Sequence, residues 1–295
     1  MSDSIDITGA VDLHSHASPS PFNRRVDGYE CASQCAAAGM DAVVLKEHYL
    51  PTVYGIDYID RLLAANDEEI QVFGSVVLNY CNGGFNPFMV QAALDYGAKV
   101  IWAPTIDAKN HGDKTDGVGR FLGVEELPEE YHGIAGLSAL ESGELTDDVR
   151  LCIRKIAEED AILAVGHLTY DETEAMVAYA SELGHDKIVI DHPLFGITDF
   201  DRDQMAKLVS LGAYLNFPYN GLGPRFRWSS TEEIVALVDA FGVDHCVVSS
   251  DVGQVGNPSA PEALQMMGEL LVMEGLSADE YETLVEDNPK DLLGI

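Results

Sequence analysis

The 295-residue sequence predicts an α/β fold of the (β/α)8 TIM-barrel type, built as one domain over residues 1–295. Three observations carry that expectation. Short β-branched apolar runs alternate with helical patterns eight times along the chain. Several helical patterns close on glycine (Gly39, Gly97, Gly184, Gly212, Gly242), and the next apolar run follows within a few residues. Polar, chemistry-bearing residues stand where the apolar runs end. The same alternation is compatible with an open doubly wound sheet, which is the alternative.

Taken in order, the expected strands are 10–14, 41–46, 71–79, 98–105, 161–167, 187–191, 213–217 and 245–250. Between them lie helical patterns such as "GYECASQCAAAGM", "PFMVQAALDYG", "ETEAMVAYASELG", "RDQMAKLVSLG" and "STEEIVALVDAFG". The longest interval, about 108–145, follows the fourth strand and is rich in Gly, Asp and Glu. It reads as a loop insertion over the C-terminal mouth of a barrel, the face that carries chemistry in this fold.

Side chains alternate faces along a strand, so Asp12, His14 and His16 are expected on one face. By the same rule Lys46 and His48 share a face, and Glu47 takes the other. The fourth strand leads to Asp107, the fifth ends at His167, the sixth at His192 and the eighth at Asp251. A single strand-end histidine has an ordinary structural reading as a satisfied polar residue. Barrel interiors are otherwise filled by aliphatic side chains, however, and buried charge is costly unless paired or metal-bound. Convergence on a divalent cation explains the set together. Imidazole and carboxylate suit zinc best, with manganese or iron as alternatives. His185 and His245 fall on the opposite rim, while His111 and His132 fall in the long insertion and are expected to meet water or substrate.

Composition excludes several function classes. With 46% hydrophobic and 8% aromatic residues the chain can bury a large core. Fifty acidic residues against seventeen Lys and Arg give a formal net charge of −33, so nucleic acid or an anionic membrane would bind against the whole field. The acidic residues are spread over helical segments, as in proteins of a salt-loaded cytoplasm. Five cysteines without a CxxC pair argue against a disulfide framework, and Cys31 and Cys35 read as small core residues of a helix. No apolar run is long enough to span a membrane, and the first residues lack an export signal, so the expected location is cytoplasmic. The expected partner is a small molecule, and a homo-oligomer is compatible with the sequence.

"DLHSH" (12–16), "GH" (166–167), "DHP" (191–193) and "SSD" (249–251) resemble the amidohydrolase superfamily of metal-dependent hydrolases. The "DNPKDLLGI" ending resembles that of two of its branches. The nearest likeness is an uncharacterised amidohydrolase-like family running "DLHxHxSPS" and "VLKxH", and it extends from Asp12 to Leu293. The resemblance implies a TIM-type barrel in which metal-activated water attacks an amide, ester, lactone or phosphoester. It implies His14, His16, His167, His192 and Asp251 as ligands of one or two ions, with Asp251 also the general base. It departs from the superfamily on the fourth strand, where a bridging lysine or Glu is usual and this chain offers Asp107. Lys46 stands on the second strand instead, read equally as a carbamate bridge, a contact to an anionic substrate, or the structural partner of a carboxylate such as Asp12. His48 resembles the strand-two histidine of PHP-type phosphoesterases and is a further candidate ligand. Those enzymes want a Glu on the third strand, where this chain has Asn79.

For substrate, the loops at the expected mouth carry Arg24, Arg25, Arg225 and Arg227, read either as anchors for a carboxylate or phosphate or as salt-bridged surface residues. Asn79 and Asp107 join them as candidate contacts. The rival functions are a metal-dependent decarboxylase, a PHP-type phosphoesterase and a non-catalytic ligand-binding barrel.

Overall fold

The computed structural model describes residues 5–115, 117–119, 133–224 and 226–295. Its strands are β1 (Val11–His16), β2 (Ala42–Lys46), β3 (Gln71–Phe73), β4 (Ser75–Val77), β5 (Val100–Trp102), β6 (Leu140–Glu141), β7 (Glu144–Leu145), β8 (Ile162–Val165), β9 (Ile188–Asp191), β10 (Tyr214–Pro218) and β11 (Cys246–Ser249). All eight expected strands are present. The third is divided into β3 and β4, and helices alternate with the strands as the glycine signals require.

The pairing is parallel and follows the chain. β1 pairs with β2 and β2 with β3, while β4, β5, β8, β9, β10 and β11 form a second run in that order. The two runs meet twice. On one side they share the segment 71–77, broken at Gly74, where an added Cβ would fall 2.2 Å from Val53 Cα. There the 3₁₀ turn Thr52–Gly55 presses into the strand, and Thr52 Oγ1 donates to the Leu45 carbonyl at 2.7 Å and accepts from the Ser75 N–H at 2.9 Å. On the other side the Asp251 N–H donates to the His14 carbonyl at 2.7 Å, and the His16 N–H to the Val252 carbonyl at 2.8 Å. The strands thus follow one another around a barrel whose first and last members are stitched together just where the candidate ligands stand.

Two apolar layers hold it. Inside, Val11, Leu13, Ala42, Val44, Val77, Val100, Trp102, Ile162, Ala164, Val189 and Val247 pack against one another. Between strands and helices lies a larger cluster that includes Cys31 and Cys35, as their helical spacing predicts. The terminal helix Asn288–Leu293 covers the N-terminal end: Lys290 reaches Asp41 at 2.7 Å, Asn288 donates to the Val243 and Cys246 carbonyls, and Leu292 and Leu293 join the inner cluster. With that end covered, the mouth at the strands' C-termini is where a ligand can enter.

Two expectations need correction. The interval 108–145 is not plain loop, since it holds the helix Lys109–Thr115 and the antiparallel hairpin of β6 and β7. Residues 116 and 120–132, with His132, lie outside the described residues, as does Arg225. Asp12 also does not share a face with His14 and His16. The register steps from Asp12↔Val43 to Ser15↔Leu45, so β1 carries one extra residue, a bulge that resets its alternation. Val11 and Leu13 face inward before it, and His14 and His16 face inward after it. Asp12 is left on the helix side, its charge felt by Cys31, Cys35 and Tyr281, with its oxygens bound by the Ser250 hydroxyl and N–H.

Candidate metal centre

The β1 bulge delivers two imidazoles to the mouth, and the turn after β11 brings a carboxylate to meet them. His14 Nε2, His16 Nε2 and Asp251 Oδ1 are each 3.2 Å from the other two. All three residues are buried. An edge of 3.2 Å belongs to a tetrahedron whose corners lie about 2.0 Å from its centre, the usual zinc–nitrogen or zinc–oxygen distance.

Proton placement sharpens the point. His16 Nδ1 is 3.0 Å from the Lys46 carbonyl, and His14 Nδ1 is 3.2 Å from Asp191 Oδ1. A carbonyl and a carboxylate can only accept, which favours the neutral tautomer with its proton on Nδ1 and its lone pair on Nε2. Burial, reinforced by the charge of Arg24, lowers the pKa of His16 to about 3, so that ring is neutral. Burial alone would raise Asp251, but His14, His16 and His192 hold its carboxyl well below the usual range. Two ring nitrogens and an anionic oxygen therefore face one another at contact distance. A divalent cation satisfies all three at once, and the residues fit such a group.

Asp191 is the hub beneath this triad, where the sequence motif points to its neighbour His192. Its Oδ1 takes His14 Nδ1 at 3.2 Å and Asn216 Nδ2 at 2.8 Å. Its Oδ2 takes Lys46 Nζ at 3.3 Å and His192 Nε2 at 3.2 Å. Burial pushes its carboxyl up, yet His14, His192 and Lys46 more than reverse that. The alternation that places Val189 inside the barrel also turns Asp191 inward, which is the signal that could have found it. Lys46, fully enclosed, lies 3.7 Å over the Trp102 ring and pairs with Asp191, so the carboxylate it serves is not Asp12.

The remaining histidines stand beside the triad. His48 stacks on His16 with ring centroids 5.0 Å apart and bonds Thr105 Oγ1 at 2.9 Å through Nδ1. His192 Nε2 faces Asp191, while its Nδ1 is buried without a partner among the described residues. His192 and His14 have ring centroids 6.4 Å apart. His167 contacts His192 at 4.8 Å and meets His111 with the two Nδ1 atoms 2.7 Å apart. Two ring nitrogens so close share one proton or one cation. His111, expected at a wet loop, is instead buried in the helix Lys109–Thr115. Burial, with neighbouring positive charge, lowers His48 and His167 well below the usual histidine range and lowers His192 as well.

Backbone conformation marks the same turns. His167, His192 and Asp251 take φ of +66°, +37° and +49°, the left-handed region that costs a non-glycine residue about 1 kcal/mol or more. Gly253, at φ +134°, lies where a Cβ would come within 2.0 Å of the His16 carbonyl oxygen. Three strained side-chain-bearing residues ending three barrel strands show a mouth shaped to aim those side chains.

The candidate substrate contacts separate. Arg24 Nη2 reaches to 3.3 Å from His16 Nδ1, on the edge of the triad. Arg25 turns away, bonding the Asn257 carbonyl at 2.7 Å and lying 3.7 Å from Glu262. Arg227 is exposed on the far loop. Asn79 spends both amide hydrogens on the His48 carbonyl and Thr105 Oγ1, and its carbonyl oxygen accepts from the Thr105 and Asp107 N–H groups. It is a brace between strand ends. Asp107 Oδ2 accepts from the Tyr80 N–H at 2.9 Å and lies to one side.

A family model described as a family of unknown function (DUF6282) matches residues 9–216. The chain belongs to this family. The matched region of this DUF6282 member contains both histidines of the triad and Asp191 but ends before Asp251. No curated protein matches it. Solved structures do. They include an amidohydrolase from Pseudomonas aeruginosa, at TM-score 0.63 and 10% identity over 98% of this chain and 97% of that one. The phosphotriesterase homology protein from Escherichia coli, complexed with phosphate, aligns at TM-score 0.58 and 15% identity over 98% and 99%. A 2,6-dihydroxybenzoate decarboxylase from Rhizobium aligns at TM-score 0.56 and 10% identity over 97% and 99%. The neighbours are amidohydrolase-superfamily members, and the fold expected from the motifs is the fold found. Among the described residues no helix is long and apolar enough to cross a membrane.

Proposed function

We propose that this protein is a metal-dependent hydrolase acting on an amide, ester, lactone or phosphoester of a small anionic substrate. The observation that carries the reading is the triad of His14, His16 and Asp251, two ring nitrogens and a carboxylate oxygen each held 3.2 Å from the other two. A divalent cation held by these atoms would supply Lewis acidity and a bound water acidic enough to ionise near neutral pH. Zinc suits the two nitrogens and one carboxylate oxygen; manganese or iron is the alternative.

The chain's own residues supply the rest. Asp191 fixes the His14 tautomer and ring orientation, and Lys46 balances the Asp191 charge. Asp251 stays ionised through the working range, as a group that receives a proton must. Its other oxygen, Oδ2, accepts from Asn220 Nδ2 at 3.3 Å, which fixes the carboxylate plane. His111 and His167, their Nδ1 atoms 2.7 Å apart, form a second pair of nitrogens next to His192.

The likeness to a decarboxylase gives the second reading a foothold, and the two part on product. Metal analysis of purified protein should find stoichiometric bound metal. Asp251→Asn should fold normally and lose turnover and most of the metal, whereas full activity in it overturns the assignment. Carbon dioxide released from carboxylate substrates would select the lyase.

A further inference from the structure

We propose that Arg24 is the carboxylate anchor of this site and that its ligand is a small planar unsaturated acid, aromatic or heteroaromatic. The inference rests on the metal-centre reading above and names its substrate class. In a chain with seventeen basic residues among fifty acidic ones, an arginine without an ion pair is conspicuous. Among the described residues no carboxylate comes within ion-pair distance of Arg24; Glu47 and Asp251 act on it only through space. Its Nε is buried with no hydrogen-bond partner, while its Nη2 lies 3.3 Å from Nδ1 of His16, a residue of the triad. Nε and Nη2 form the side face of the guanidinium fork, whose two parallel donors match the two oxygens of a carboxylate. A buried donor left unsatisfied by the protein is held for a ligand.

Charge favours the same ligand. The molecule's field repels anions, so one must be drawn by local cations. Lys46 is consumed by Asp191, which leaves Arg24, next to His16, as the cationic side chain to meet an incoming anion. One fork suits a singly charged carboxylate better than a phosphate dianion, which would call for more donors.

The walls supply the planar part. Phe22 stands edge-on to His48 at 5.9 Å and beside Tyr49 at 5.7 Å. In a second group, Phe195 meets His192 at 5.2 Å and Trp228 at 4.5 Å, with Phe226 a further 5.0 Å from Trp228. All five rings are partly exposed although their histidine neighbours are buried, so they line the entrance. Aromatic faces this close together favour a flat, unsaturated guest.

Binding to the zinc-reconstituted protein tests this, followed by tryptophan fluorescence and calorimetry with benzoate, benzamide, acetate and phenylphosphonate. Benzoate should bind at least about tenfold more tightly than benzamide or acetate. Arg24→Gln should abolish the benzoate–benzamide difference without changing zinc content, Arg24→Lys should restore part of it, and Arg25→Gln should leave it intact. Equal binding of benzoate and benzamide by the wild type overturns the proposal. So does undiminished discrimination in Arg24→Gln, or phenylphosphonate binding more tightly than benzoate. Should Arg24→Gln fail to fold, the wild-type panel and Arg24→Lys still decide. Failure of the metal reading shows separately, as zinc retained by His14→Ala and His16→Ala.

Discussion

At the scale of single residues, Asp191 governs more of the site than any proposed ligand does. One buried carboxylate orients His14, pairs Lys46, receives His192 and takes an amide hydrogen from Asn216. Removing such an outer partner typically costs about 10- to 100-fold in metal affinity, although the metal is never touched. Asp191→Ala should therefore weaken zinc binding by that factor in chelator-competition titrations, and it should also leave Lys46 as an unpaired buried charge. Unchanged affinity would show that His14 is oriented by packing alone. The strand-end positions of His14, His16 and Asp251 were legible in the sequence because polar residues interrupting aliphatic strands are conspicuous. Asp191 and His111 were not. The first sits beside a more eye-catching histidine, and the second lies on a helix inside an interval that composition marks as loop.

At the scale of elements, the sequence spoke clearly wherever the local rule and the tertiary structure agree. Strand existence and helix ends followed from β-branched runs and glycines, and the structure adds capping boxes such as Asp27 with Glu30 and Thr169 with Glu172. Strict alternation misplaced Asp12 because a bulge depends on the partner strand's register, which a single strand does not contain. The break between β3 and β4 is of the same kind. Gly74 is required by the close approach of Val53, a contact from a distant turn. Gly74→Val should force that turn outward and destabilise the fold by about 1–3 kcal/mol, as overpacking does. A lowered midpoint in urea unfolding would register it, and an unchanged midpoint would mean that the 3₁₀ turn can move freely.

At the scale of the whole molecule, the charge of −33 dominates. Like charges on one compact body repel, and dissolved salt screens them within about 10 Å at 0.1 M ionic strength. A protein adapted to a salt-loaded interior should gain stability from dilute buffer to molar KCl, read as a rising thermal midpoint. A midpoint indifferent to KCl would remove that reading of the acidic surface. Here the sequence alone sufficed, because net charge needs no knowledge of the fold. The direction in which the molecule receives its ligand did need the fold, since it is the helix Asn288–Leu293 that covers the opposite end.

The stitch between β1 and the turn after β11 has a consequence for assembly. The two imidazoles of the triad come from the first strand of the ring and the carboxylate from beyond the last, so the centre does not exist until the chain has come full circle. A cation bound there would act as a clasp across the seam, adding its binding energy to the backbone hydrogen bonds that already join it.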